Sequence, residues 1–486
     1  RMQEAETLID ETLTLDPLCF RMMAERFLLS RSRAALDAFI GALAGDVQTL
    51  LDIVYELAWS GLCEDALLLL ESTNGAACLN HPMPGYTLAW LAAQLGRAAE
   101  APHFIELAEA ASPLHCFPAR LEEMIVLEDA IARCPGAARA HYYLGNLYYD
   151  KRRYDEAIQC WRRSVELDPS YSIPWRNLGL AEFNIRRDPA AADRMYARAF
   201  AASPGDARLL YEWDQLKKRA GLASPEDRLR TLEQHSALAD RRDDLTVELI
   251  TLLNQTGRYD EALRRLESRR FSPWEGGEGL VSAQYVAAHK ALGHSALAAG
   301  DAAQALGHFE AARHYPENLG EGKHLLTLER DLDYLSGLAA EQLGNKALAQ
   351  QYWRAAAAPL PSIGYHSFFQ ALALLKLGDA QQARTILRDL AGYARAQSAV
   401  EPKIDYFATS LPNFLLFDDD LGKRNRIECA FLAALAHLGM GETASAQQQL
   451  EQVLAEDPNH LAAIEIVRWI RSGNSIPAKT EAESLQ

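Results

Sequence analysis

Apolar and small residues recur along this chain at helical spacing, in paired blocks separated by short polar turns. The clearest block begins at Ala138. His141, Leu144, Gly145 and Tyr148 fall on one face of a first predicted helix. Tyr154, Ala157, Trp161 and Ser164 fall on one face of a second, and Asp168-Pro169 ends it. Proline biases the residue before it away from helical geometry, so it marks a stop. Gly145, Ala157 and Ser164 are small enough for two helices to cross closely, while Tyr148 and Trp161 can fill the gap between one pair and the next. One pair cannot bury both of its faces, so such a block needs neighbours stacked on it.

The neighbours are present. Trp175, Leu178, Gly179, Ala192, Tyr196, Ala199 and Pro204 repeat the order with one extra residue near Asp188. Later blocks are marked by Leu249, Gly257, Tyr259, Ala262 and Leu266, then by His289, Leu292, Gly293, Gly300, Ala305, Phe309 and Ala312. Gly337, Gly344, Ala349, Trp353 and Ala356 follow, then Ala371, Gly378, Ala383 and Leu387, and finally Ala434, Gly441, Ala446, Leu450 and Asp457-Pro458. Upstream the match is looser, at Gly61, Ala66 and Leu70 and at Leu88, Gly96, Ala101, Ile105, Ala108 and Pro113. Ala5, Ile9 and Asp16-Pro17 fit only a second helix, so its first helix is expected before Arg1.

The order of a large residue, Leu-Gly, an aromatic, Tyr-x-x-Ala, an aromatic, a small residue and Pro resembles the tetratricopeptide (TPR) pattern, with His141 where that family has Trp. The resemblance implies an all-α, TPR-like α-solenoid, a right-handed superhelix of antiparallel helix pairs. The expected organisation is degenerate repeats over 1–136, TPR repeats over 137–392, a long insertion over 393–427, a last repeat and capping helix over 428–472, and a disordered tail over 473–486.

Two further interruptions fall within the repeats, at 271–279 and 316–323. All three follow the second helix of their block, so they are expected along one rim, where solenoids commonly carry binding loops. Together they would present Trp274, Glu275, Glu278, Glu321, Lys323, Lys403, Asp405, Tyr406 and Asp418, an aromatic and carboxylate set with lysines. The same residues also suit plain loops: Gly276, Gly277, Gly279, Gly320 and Gly322 permit turns, and Trp274 can plug a gap between helices. If Glu275, Glu278, Glu321 and Asp405 converge, they supply the paired carboxylates that glycoside hydrolysis requires.

Composition narrows the partners. The 486 residues are 49% hydrophobic and carry a formal charge of -17 from 49 basic and 66 acidic residues, which argues against nucleic acid and anionic membrane. No apolar run reaches the length of a membrane span. The 7 cysteines are scattered without a CxxC pair, so neither a structural zinc site nor a disulfide framework is expected, and a reducing, cytoplasmic compartment fits best. No GxxxxGK[ST], HExxH or GxSxG motif occurs, so no cofactor or metal is expected. His289 and His294, and likewise His308 and His314, are spaced poorly for shared metal ligation on a helix.

The sequence Trp274-Glu-Gly-Gly-Glu-Gly279, the 319–323 loop, the 403–412 segment and the 120–154 stretch are similar to bacterial proteins that carry the domain of unknown function 5107. Those proteins join an N-terminal β-sandwich like galactose mutarotase to a C-terminal TPR array. The resemblance implies that this chain is the TPR part. It would then serve as a scaffold for an upstream domain of the same protein or for a protein or peptide partner. A further implication is a carbohydrate-related role, in which the chain is the α-helical half of a sugar-active enzyme with Glu275, Glu278 and Glu321 as acids.

Overall fold

The structure is a computed structural model that describes residues 2–74, 80–274, 276–402 and 416–471. Among these, every regular element is helical and none is a strand. No helix among them is long and apolar enough to cross a membrane. The chain divides into two compact units, Arg1–Pro204 and Gly205–Gln486.

The first unit contains α1 (Met2–Leu15), α2 (Phe20–Ser30), α3 (Arg33–Leu43), α4 (Val47–Trp59), α5 (Cys63–Asn74), α6 (Pro82–Gln94), α7 (Ala101–Ala110), α8 (Leu121–Arg133), α9 (Ala138–Asp150), α10 (Tyr154–Leu167), α11 (Ser172–Asn184) and α12 (Pro189–Ala202). Helices α2–α3, α4–α5, α6–α7, α9–α10 and α11–α12 pack as pairs. The α2–α3 pair lies where the sequence pattern showed no block. Helix α8 follows a non-helical stretch over 111–120 and packs on α6 and α9. Its Val126, Leu127 and Ala130 join the core that also holds Tyr143, Trp161 and Leu178.

The second unit contains α13 (Ala207–Ala220), α14 (Pro225–Gln234), α15 (Ser236–Ala239), α16 (Asp243–Gln255), α17 (Tyr259–Glu267), α18 (Leu280–Ala298), α19 (Ala302–Ala311), α20 (Arg330–Gln342), α21 (Lys346–Ala356), α22 (Tyr365–Leu377), α23 (Ala380–Ser398), α24 (Leu421–Gly439), α25 (Thr443–Glu456) and α26 (Leu461–Arg471). Pairs run α16–α17, α18–α19, α20–α21, α22–α23 and α24–α25. The expected 393–427 insertion is helical at both flanks, since α23 runs to Ser398 and α24 starts at Leu421.

One packing device recurs in both units. A glycine on the first helix of a pair faces an aromatic ring from the second. A Cβ on Gly145 would lie 2.6 Å from Trp161, on Gly179 2.6 Å from Tyr196, on Gly293 2.4 Å from Phe309 and on Gly337 2.2 Å from Trp353. These separations leave no room for a methyl group. Trp161 therefore packs inside its own pair, where the sequence reading had it between pairs. The turns within pairs also recur. Gly300, Gly344 and Gly378 hold positive φ, and the side chains of Asp301, Asn345 and Asp379 then accept from backbone N–H groups of the next helix.

Helix α26 does more than cap the last pair. Trp469 lies against His294, Tyr334, Phe368 and Phe369, with ring centroids 5.7, 6.4, 6.2 and 6.2 Å away. The Arg468 guanidinium donates to Asn254 O at 3.1 Å and to the Tyr259 hydroxyl at 2.7 Å. His460, just before the helix, meets Phe431 at 4.7 Å. These partners sit on the first helices α16, α18, α20, α22 and α24, and on α17. Side by side on a flat face at 8–10 Å spacing, the four first helices that α26 itself touches, α16, α18, α20 and α22, would span roughly 24–30 Å between outer axes. An eleven-residue helix is only about 16 Å long. The first helices of this unit must therefore curve around α26.

Candidate functional site

The two inner interruptions meet each other. Phe271 N donates to Asn318 O at 2.8 Å, and the Asn318 side-chain amide donates to Leu266 O at 2.8 Å and Arg269 O at 2.9 Å. Gly320 has φ of 78° and sits so close that a Cβ would come within 2.3 Å of Phe271 O. Only glycine fits there.

Glu321 joins the loops to α18. Its Oε2 accepts from Gly279 N at 2.7 Å and its Oε1 from Ser282 N at 2.9 Å. Those N–H groups belong to the first turn of α18, where donors lack partners within the helix and the helix dipole favours negative charge. Glu321 is thus a helix cap supplied by the next loop. Trp274 lies over its own turn: a Cβ on Gly277 would meet its ring at 2.0 Å, and Gly277 N donates to Trp274 O at 3.0 Å. Lys323 donates to Glu329 at 2.6 Å and to Arg313 O at 3.3 Å. Glu275, Lys403, Asp405 and Tyr406 lie outside the described residues. Asp418 is exposed on the approach to α24 and is not part of the cavity described next.

The described loops frame a cavity of about 700 Å³. Glu278, Tyr315, Glu321, His324, Glu428 and Phe431 line it, together with Leu461, Ala462 and Glu465 from the start of α26. Trp274 does not line it. Of the residues named from sequence, the structure therefore brings Glu278 and Glu321 to one cavity and leaves Trp274, Lys323 and Asp418 outside it.

The base of the cavity is ionic. Lys290 Nζ lies 2.8 Å from Glu465, 3.1 Å from Asp331 and 3.4 Å from the Tyr365 hydroxyl. Burial pushes the Lys290 ammonium down, but Glu465, Tyr365 and Asp331 outweigh it and hold it well above the ordinary lysine range. Burial works against the Asp331 carboxylate too, and Lys290 and His366 reverse that and hold it low. Burial pushes the Tyr365 hydroxyl up and the His366 imidazole down. The base is thus a fixed ammonium between two carboxylates. The rim adds Glu278, Glu321 and Glu428, so the lining carries more negative than positive groups, interleaved with the rings of Tyr315, Phe431 and Tyr365. Among the described residues, no three His, Cys, Asp or Glu groups are placed to hold a metal ion.

The sequence reading did not single out Lys290, Asp331, Tyr365 or Glu465. The available signal was Lys290 itself, the lone ammonium in an α18 that has no Asp, Glu or Arg. A charge in such a helix implies a buried partner, though the sequence does not say which.

Tetratricopeptide repeat models match residues 138–171, which span α9 and α10, and residues 428–460, which span most of α24 and all of α25. Each unit therefore contains a recognisable tetratricopeptide repeat. Among solved structures, the chain is similar to YrrB, described as a TPR protein with an unusual peptide-binding site, at 15% identity over 53% of this chain and 95% of that one, with a TM-score of 0.26. It is similar to a tetratricopeptide repeat protein from Parabacteroides merdae at 15% identity over 60% and 98% of the two chains, TM-score 0.26. It is also similar to MamA at 20% identity over 37% and 94%, TM-score 0.20.

Proposed function

We propose that this chain of tetratricopeptide repeats is a non-catalytic scaffold that holds a protein or peptide segment at the rim of its second unit. The observation behind this reading is the pair of loops at 271–279 and 316–323. They break the repeat period, are tied together through Asn318 and Glu321, and frame an open cavity whose walls mix rings with carboxylates. A surface held rigid before binding loses less freedom when a partner docks. The surplus of acids favours a partner segment with basic or amide groups. The similarity of the Trp274–Gly279 and 319–323 loops to proteins with a mutarotase-like sandwich favours a partner in the same protein, upstream of this array.

A second reading, sugar binding in a carbohydrate-active assembly, has one specific support: Glu278 and Glu321 line the same cavity as Tyr315 and Phe431. Glu321 already caps α18 with both oxygens, so Glu278 would carry any acid role.

Screening the chain against a random peptide library and an oligosaccharide array separates the two. The scaffold reading expects selected peptides whose affinity falls at least tenfold in a Glu278→Lys, Glu428→Lys variant. Peptides that bind the variant equally would remove the rim as the site. Oligosaccharide binding that Glu278→Gln abolishes would replace the scaffold with the sugar reading.

A further inference from the structure

The turn over 323–329 carries two leucines into solvent. Leu325 is 98% exposed and Leu326 80%. Single exposed apolar residues are ordinary on a protein surface. Two in succession, almost bare, on one turn form a patch that calls for a partner.

The turn is held from within and at its base. Leu326 N donates to His324 Nδ1 at 3.1 Å, and Thr327 N donates to His324 O at 3.0 Å. Lys323 Nζ meets the Glu329 carboxylate at 2.6 Å, which ties the two ends of the turn together. Arg313 reaches the same carboxylate at 3.4 Å. Leu328, the third leucine of the stretch, is half-buried. A loose loop would fold its leucines onto the chain, whereas these bonds keep the backbone in a shape that leaves Leu325 and Leu326 outside.

The tip adjoins the rim cavity. His324 and Thr327, which bracket the two leucines, both line it, as do Glu278 and Glu428. An apolar knob therefore stands beside a negatively charged recess. Leu280, Ile363 and Val400 are exposed as well, and each lies at the end of its pair where the chain passes to or from a neighbouring pair.

We propose that Leu325 and Leu326 are the apolar anchor of the rim. A partner segment lays an aliphatic or aromatic side chain on them and sends a Lys or Arg side chain into the cavity alongside. This rests on the reading of the rim as a protein-binding surface and adds the partner's chemistry: a basic, amphipathic stretch of a partner protein. Charge complementarity selects the basic residue. The leucines supply the desolvated contact in which binding energy concentrates, and a turn fixed beforehand loses little freedom on docking. Consecutive Cα atoms are about 3.8 Å apart, so both leucines stand within about 8 Å of His324 along the backbone. An extended partner then needs its apolar residue within about four positions of the basic one. An anionic membrane is a poor match, because the formal charge of -17 and the carboxylates beside the tip repel it.

A chain carrying Leu325→Ser and Leu326→Ser tests the anchor. Its urea midpoint is expected to match that of the unsubstituted chain, because such exposed side chains add little to folding; a lowered midpoint would mean that they pack on the chain and would overturn the proposal. Peptides selected from the random library on the unsubstituted chain are expected to carry Lys or Arg within about four positions of Leu, Ile, Phe or Trp. They are expected to bind the leucine variant at least tenfold more weakly, through faster dissociation. Peptides that weaken in the Glu278→Lys, Glu428→Lys variant but bind the leucine variant unchanged would overturn the anchor and leave the rim reading standing. Peptides indifferent to both variants would overturn both. Co-sedimentation with phosphatidylcholine vesicles and velocity sedimentation of the chain alone address the other occupants. Neither vesicle binding nor self-association is expected; either one, if lost in the leucine variant, would reassign the leucines to a membrane or to a second copy and overturn the proposal.

Discussion

A single glycine decides how close two helices of a pair come. Gly337 receives the indole of Trp353, and the same contact recurs at Gly145, Gly179 and Gly293. Gly337→Ala is expected to destabilise the chain by about 1–3 kcal/mol through overpacking. Gly307, exposed within α19 with nothing near its absent Cβ, is the contrast: Gly307→Ala is expected to stabilise by roughly 0.5–1 kcal/mol. Urea denaturation of the two variants should move in opposite directions. These glycines were legible because a close crossing has a local signature, a small residue and an aromatic at fixed spacing. The ionic base was not: Lys290, Asp331 and Glu465 lie far apart in sequence and acquire their meaning only when the fold brings them together. Histidine chemistry adds a pH dependence. Burial, and next Lys290, push His294 down to about 3, against the opposing pull of Asp331. Burial, and next His308, push His289 down to about 4. Between those values and 6.5 the unfolded chain binds protons that the folded chain does not. Stability therefore rises with pH across that window and is lost as pH falls through it, by at most about 1.4 kcal/mol per pH unit per histidine. His294→Gln should flatten this dependence in denaturant titrations at pH 4–7; an unchanged slope would contradict the assignment.

Among elements, α18 shows how a loop can complete a helix. Its N-cap residue is Gly279, in a left-handed conformation, which has no side chain to cap with. Glu321 supplies the missing acceptor from forty residues away in sequence. Glu321→Ala is expected to cost about 1–2 kcal/mol and to speed hydrogen exchange at 279–283, while Glu321→Gln, which keeps one acceptor oxygen, should fall between. The existence of both rim loops was legible from the broken repeat period. Their place along one rim was expected because each follows the second helix of its block, but the role of Glu321 was not, because a cap supplied by another loop leaves no mark within four residues of the helix start. Helices α2, α3 and α8 were missed for a related reason. They lack the ordered Leu-Gly and Tyr-x-x-Ala markers that made α9 and α10 plain, although α2 and α3 bury Phe27 and Phe39.

Over the whole chain, the division into helix pairs was readable from sequence, and the destination of the last helix was not. The pattern over 460–471 gives an amphipathic helix after the last pair, and an end cap is the local inference. Its actual seat depends on how strongly the second unit curves, and that curvature is a sum of small rotations between pairs that no local pattern encodes. The result matters for function, because α26 covers residues of several first helices and its start lines the rim cavity. Placement of α26 across the first helices is therefore the central claim. A photo-reactive benzoylphenylalanine at position 469, activated in the intact chain and mapped by mass spectrometry, tests it directly. Adducts on the peptides containing Tyr334 and on those containing Phe368 and Phe369 are the expected result, and adducts confined to α24 and α25 would contradict it.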